Sequence, residues 1–173
     1  VKLAQDEVQE FVDKAIELHN NHILAGTEYD EDEYSAVALA AGRVVFAKEI
    51  DLLGSTVEGS ALFYRAAFLG QAVFNGVRFD RRVTFDAAWF GGDGSFVGAR
   101  FQGTTLFPYA RFASVANFRR SSFEQGPIFD KARWCGKAHF GEATFAAGAR
   151  FAGARLASEA NFLDAEFPKG ADF

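Results

Sequence analysis

From Phe63 to the end of the chain the large apolar residues recur at intervals of 5 and 6 in strict alternation. They fall at 63, 68, 74, 79, 85, 90 and so on to 162, 167 and 173. Nineteen of these 21 positions are Phe, and Trp134 and Leu156 are the others. Counting backwards on the same beat adds Val57, Leu52 and Phe46, and only Phe11 lies off the grid. The residue two before each large one is small or slim, mostly Ala, as at Ala66, Ala88, Ala110 and Ala132. Between the two stands a residue that is often Arg, Asn, Ser, Thr, Asp or Glu. A large and a small residue two apart share one side of an extended segment, and the residue between them points the other way. A helix does not fit, because a mean step of 5.5 matches no helical face and 17 Gly would be costly in one.

A short extended piece followed by a two- or three-residue corner is one side of a β-solenoid coil. A single coil cannot bury its inward face, and stacking turns the rings into one continuous core. Gly stands at the second or third corner position in seven of the six-residue steps: Gly70, Gly92, Gly103, Gly126, Gly136, Gly148 and Gly170. The expectation is that these corners need a positive φ.

The stretches "FVGARF", "FDKARW", "FGEATF" and "FAGARL" resemble pentapeptide-repeat proteins, whose units carry a central Phe or Leu with a small residue two before it. The resemblance covers roughly residues 44–173 and implies a right-handed, four-sided β-helix with the ring and the small residue inside. It departs from the strict family pattern in one systematic way, since every second side has six residues instead of five. Four sides then take 22 residues, so the grid predicts about six coils, a rod about 25–30 Å long, and outward columns of residues 22 apart.

Residues 1–43 read differently. In "AQDEVQEFVDKAIELHNNHIL", Val8, Phe11, Val12, Ala15, Ile16, His19 and Ile23 keep helical spacing. After a turn at Gly26 and Thr27, "YDEDEYSAVALAAGRVVF" reads as a second helix with acids at its start. The predicted organisation is an N-terminal α-helical cap of two helices over 1–43, covering the first coil of a β-helix over 44–173. A partner-binding helical hairpin is the alternative.

Charge follows the same division. Residues 1–43 hold 3 Lys/Arg and 10 Asp/Glu, a net of −7, whereas 44–173 hold 15 and 13, a net of +2. Cys135 is the one cysteine, so no internal disulfide forms, and a reducing, cytoplasmic setting is expected. No apolar run is long enough to span a membrane as a helix. A chain without Met that opens on Val1 and stops on a core ring, Phe173, predicts a piece of a longer protein. Either the native chain continues past residue 173, or the last coil meets another molecule, such as a second copy in a homodimer.

Candidate chemistry is sparse. His19 and His22 lack the partners of a metal site, the 30–33 "DEDE" lacks the Gly and downstream Glu of a calcium loop, and no catalytic motif is present. No cofactor, metal or catalytic residue is expected, and the chain is read as no enzyme. Cys135 stands at an outward corner near Lys137 and His139, and an incidental surface thiol is the expectation. The 22-residue coil predicts one column of Ala67, Trp89, Arg111, Arg133 and Arg155, and another of Asn117, His139 and Asn161. Trp89, Arg111, Arg133 and Arg155 form the candidate interaction surface, suited to an anion or an acidic partner. Screening by neighbouring Glu159, Asp130 and water is the plainer reading of the same column. The leading functional expectation is a non-enzymatic scaffold or protein–protein interaction module with a protein partner. The resemblance also implies an alternative, a DNA-mimicking regulator of DNA gyrase, which a β-helix of net +2 disfavours. Direct nucleic-acid binding through the Arg column is a minor reading.

Overall fold

The computed structural model describes Leu39–Ala40 and residues 44–173. Every element among them is a two-residue parallel strand, and no helix occurs there. The strands fall into four stacks, one for each side of a solenoid of the right-handed type. The first face runs Leu39–Ala40, Ala61–Leu62, Val83–Thr84 and Thr105–Leu106, then through bridges at Ile128 to Ala149–Arg150 and Ala171–Asp172. The second face stacks Val45–Phe46, Ala67–Phe68, Trp89–Phe90, Arg111–Phe112, Arg133–Trp134 and Arg155–Leu156. The third stacks Ile50–Asp51, Ala72–Val73, Gly94–Ser95, Ala116–Asn117, Ala138–His139 and Ala160–Asn161. The fourth runs from Thr56–Val57 to Thr144–Phe145 in a 5-stranded sheet. Since two faces hold 6 strands each, the rod has about six coils. Partners across each pair are 22 apart, as in Trp89↔Arg111 and Asn117↔His139.

The rings meet as the spacing requires. Phe63 to Phe151 and their small partners are almost wholly inaccessible. On each side the rings stack nearly parallel from coil to coil, with centroids from 4.4 Å (Phe145–Phe167) to 5.5 Å (Phe112–Trp134). Rings of the opposite first and third sides meet edge to face across the coil, as Phe96 and Phe107 do at 89°. Both arrangements suit the aromatic quadrupole, and burying each ring contributes roughly 1.5–3 kcal/mol before entropy.

Two expectations are corrected here. Reading "YDEDEYSAVALAAGRVVF" as a helix fails at Leu39–Ala40 and Val45–Phe46, which pair in parallel with Ala61–Leu62 and Ala67–Phe68. The open sheet edge supplies partners for backbone groups there, and that outweighs the helical propensity of an Ala-rich run. The rest of the two-helix cap lies outside the described residues.

The corners are the second correction. Left-handed residues sit at the five-residue corners, two after the ring: Arg65, Ala87, Tyr109 and Lys131 on one edge, and Arg120, Glu142 and Asp164 on another. Of the seven Gly at six-residue corners, only Gly148 and Gly170 have positive φ. Most of the others are Gly because coils stack too closely for a side chain. A Cβ on Gly92 would lie 2.5 Å from the Gly70 carbonyl oxygen, and one on Gly70 would lie 2.8 Å from the Glu49 nitrogen.

A candidate interaction face

The second face carries the predicted column. Its outward positions are Val45, Ala67, Trp89, Arg111, Arg133 and Arg155, one per coil and in register. Each projects outward because its neighbours in sequence, such as Ala110 and Phe112 around Arg111, are committed to the core. The structure therefore brings Trp89, Arg111, Arg133 and Arg155 onto four consecutive rungs. Trp89 is 51% exposed and the three Arg are exposed. Its indole leans over Gly91, where an added Cβ would come 3.4 Å from Nε1.

None of the three Arg forms an ion pair among the described residues. The acids expected to screen them are engaged elsewhere: Glu159 with Lys137 at 2.9 Å, and Asp130 with Arg150. Lys137 holds the Glu159 carboxylate below its ordinary value, chiefly through that hydrogen bond. Like charges on adjacent rungs repel, so this face keeps a cationic ladder that its own acids do not neutralise. Beside it, the Lys131 ammonium lies 5.3 Å from the Tyr109 ring centre and donates to its hydroxyl at 3.2 Å. Alongside the Arg column runs a second, flat one of Ala113, Cys135 and Ala157, all exposed.

The third face has a different relief. Asn117, His139 and Asn161 stack in register as expected. They form one wall of a shallow groove of about 320 Å³ that opens where Gly141 presents no side chain between Arg119 and Leu163. Asn117 Oδ1 accepts from the Arg119 amide and Asn161 Oδ1 from the Leu163 amide. On the opposite wall Glu142 takes a hydrogen bond from Arg119 Nη2 at 2.9 Å and another from Arg120 Nε at 2.8 Å. This triad is absent from the candidates that the sequence pattern picks out on the strands. Its signal lies in the sequence all the same, because Arg120 and Glu142 are 22 apart, as are Tyr109 and Lys131. The 22-residue rule stacks corners as well as strand positions.

With coil, column and corner in view, family membership can be tested on the repeat itself. Residues 41–88, 63–111 and 107–155 match the family described as pentapeptide repeats in 9 copies. The chain belongs to the pentapeptide-repeat family. No curated protein matches this sequence. Within the pentapeptide-repeat rod, the repeat does not dictate which residues fill the Trp89–Arg155 column, since the fold asks only that the position face outward.

Proposed function

We propose that this pentapeptide-repeat chain is a non-enzymatic interaction module that holds an acidic protein partner against its second face. The observation that carries the reading is the in-register ladder of Arg111, Arg133 and Arg155, which has no acidic partner among the described residues and is headed by exposed Trp89. Arg with an aromatic neighbour is the combination that dominates binding energy at interfaces, and an unneutralised column speeds encounter with an acidic surface.

The test is affinity capture with the full chain followed by mass spectrometry, beside a variant carrying Arg111→Glu and Arg133→Glu. The reading expects partners that the variant loses, and a partner list untouched by the reversal overturns it. Regulation of DNA gyrase by imitation of DNA is the other reading. A mimic of a polyanion should carry acids along its rod, and this rod combines 15 basic with 13 acidic residues. The expectation is therefore no change in gyrase supercoiling at micromolar protein, and inhibition or protection in that assay would restore the alternative.

A further inference from the structure

We infer that the second face takes its partner as an acidic α-helix laid along the rod axis. This rests on the reading just proposed and adds the shape of the occupant. Along this face the amides of Arg111, Ala113, Arg133 and Cys135 already donate to the carbonyls of Ala88, Phe90, Ala110 and Phe112. An extended segment binds well where it can extend a sheet edge, and this face offers edges only at its first and last coils. An extended chain lying along the axis would leave its own backbone groups facing guanidinium and methyl groups, whereas a helix satisfies its backbone internally.

The rings beneath the column are 4.8 Å apart at Phe68–Phe90 and 4.6 Å at Phe90–Phe112, so the outward residues advance by one strand spacing per rung. Arg111 to Arg155 is two rungs, about 10 Å. Carboxylates at i, i+3 or i+4, and i+7 of a helix cover about 10 Å along its axis. Three same-side residues of an extended strand cover about 13 Å. The helix keeps one acid beside each Arg with the least splaying of the side chains.

Val45, Leu69 and Trp89 are 61%, 53% and 51% exposed and lie on the coils before the Arg rungs. The occupant is therefore apolar over one or two turns and acidic over the next two. The small column of Ala113, Cys135 and Ala157 beside the ladder lets a helix approach closely.

Two labelled synthetic peptides of equal composition test this against the full chain by fluorescence anisotropy. One places Glu at i, i+4 and i+7, with Leu in the turns on one side; the other alternates Glu with neutral residues. The helical pattern is expected to bind about ten-fold tighter or more and to gain helical circular dichroism on binding. That affinity should fall about ten-fold or more with Arg111→Glu plus Arg133→Glu, and measurably with Trp89→Ala alone. Each variant should keep the β-sheet spectrum of the parent. Equal binding of both peptides, binding without gain of helicity, or binding of neither overturns the helix. The capture experiment above still stands or falls separately, on whether charge reversal removes partners. A single-stranded oligonucleotide that binds tighter than either peptide overturns both readings.

Discussion

Trp134 occupies a ring position at full burial, and its indole Nε1–H has no hydrogen-bond partner. Leaving such a donor unsatisfied costs about 1–3 kcal/mol. Its stack with Phe112 is 5.5 Å against 4.6 Å one coil earlier, and the next rung holds the smaller Leu156. Trp134→Phe alone removes the orphan donor but opens a void worth roughly 1 kcal/mol. Combined with Leu156→Phe, which stacks a ring on the new one, it should raise stability by about 1 kcal/mol. A higher midpoint in guanidinium unfolding is the expected reading, and a lower one means that the indole's volume outweighs its unsatisfied N–H. Glycines separate two physical causes at the same scale. Gly98 has φ +66 and open space around its missing side chain, whereas Gly92 has its Cβ position blocked by the backbone of the neighbouring coil. Gly98→Ala should cost about 1–2 kcal/mol in left-handed strain. Gly92→Ala forces two coils apart and should cost more, about 2–3 kcal/mol. Equal losses would mean that corner stacking gives way more easily than its geometry implies.

Elements here are sides and corners, and they differ in how openly the sequence announces them. Sides are readable because burial permits only a ring and a small residue at two of every five or six positions, so spacing alone places Phe107 and Thr105. Corners are not, because their residues are chosen by contacts with the coil above or below. Lys131 at φ 56 and Glu142 at φ 60 look like ordinary surface residues until their neighbours 22 positions away are considered. The candidate column is legible for the same reason as the sides, while the Gly141 groove depends on the absence of one side chain among several. Glu142 shows what such a corner contributes. Hydrogen bonds from Arg120 and then Arg119 hold its carboxyl below the ordinary value of 4.5. A carboxyl lowered on folding adds stability that is fully present above its unfolded pKa and is lost as the pH falls through its folded value. Between neutral and acidic pH, Glu142→Gln should therefore lose less thermal stability than the parent, with the difference confined to pH below the ordinary carboxyl range. Parallel melting curves across that range would show the corner to be irrelevant. The tie is solvent-exposed, so the effect should be small and reduced by salt.

At the scale of the whole molecule the rod is a one-dimensional stack in which each coil is held by its two neighbours. The hydrogen-bond ladder also runs both ways along the stack, some amides donating to the preceding coil and others to the following one. Arg133 and Thr144 donate backwards to Ala110 and Ser121, as Ile128 and Arg150 do to Thr105 and Pro127. Phe118, Phe129 and Phe145 donate forwards to His139, Arg150 and Glu166. Direction is thus set residue by residue within a face, as in any parallel ladder, where a residue's amide and carbonyl point to one neighbouring strand and those of the next residue to the other. It has a measurable consequence in the 173-residue chain. In the last coil Arg155, Ala157 and Glu166 donate backwards to Ala132, Trp134 and Ala143, whereas Ala160 and Phe162 would need carbonyls one coil further on. Apolar cover falls off at the same place, with Phe173 72% exposed, while Phe140 and Phe118, one and two coils before Phe162, are fully buried. Amide hydrogen exchange follows the opening of such local units. The middle coils, from about Phe85 to Phe145, should exchange slowest. Within the last coil, the amides of Arg155, Ala157 and Glu166 should be protected and those of Ala160 and Phe162 should exchange fast. Exchange read residue by residue by NMR tests this alternation, which uniform fraying would not produce. If Ala160 and Phe162 prove as protected as Ala138 and Phe140, another molecule supplies the missing carbonyls and covers the last coil in solution.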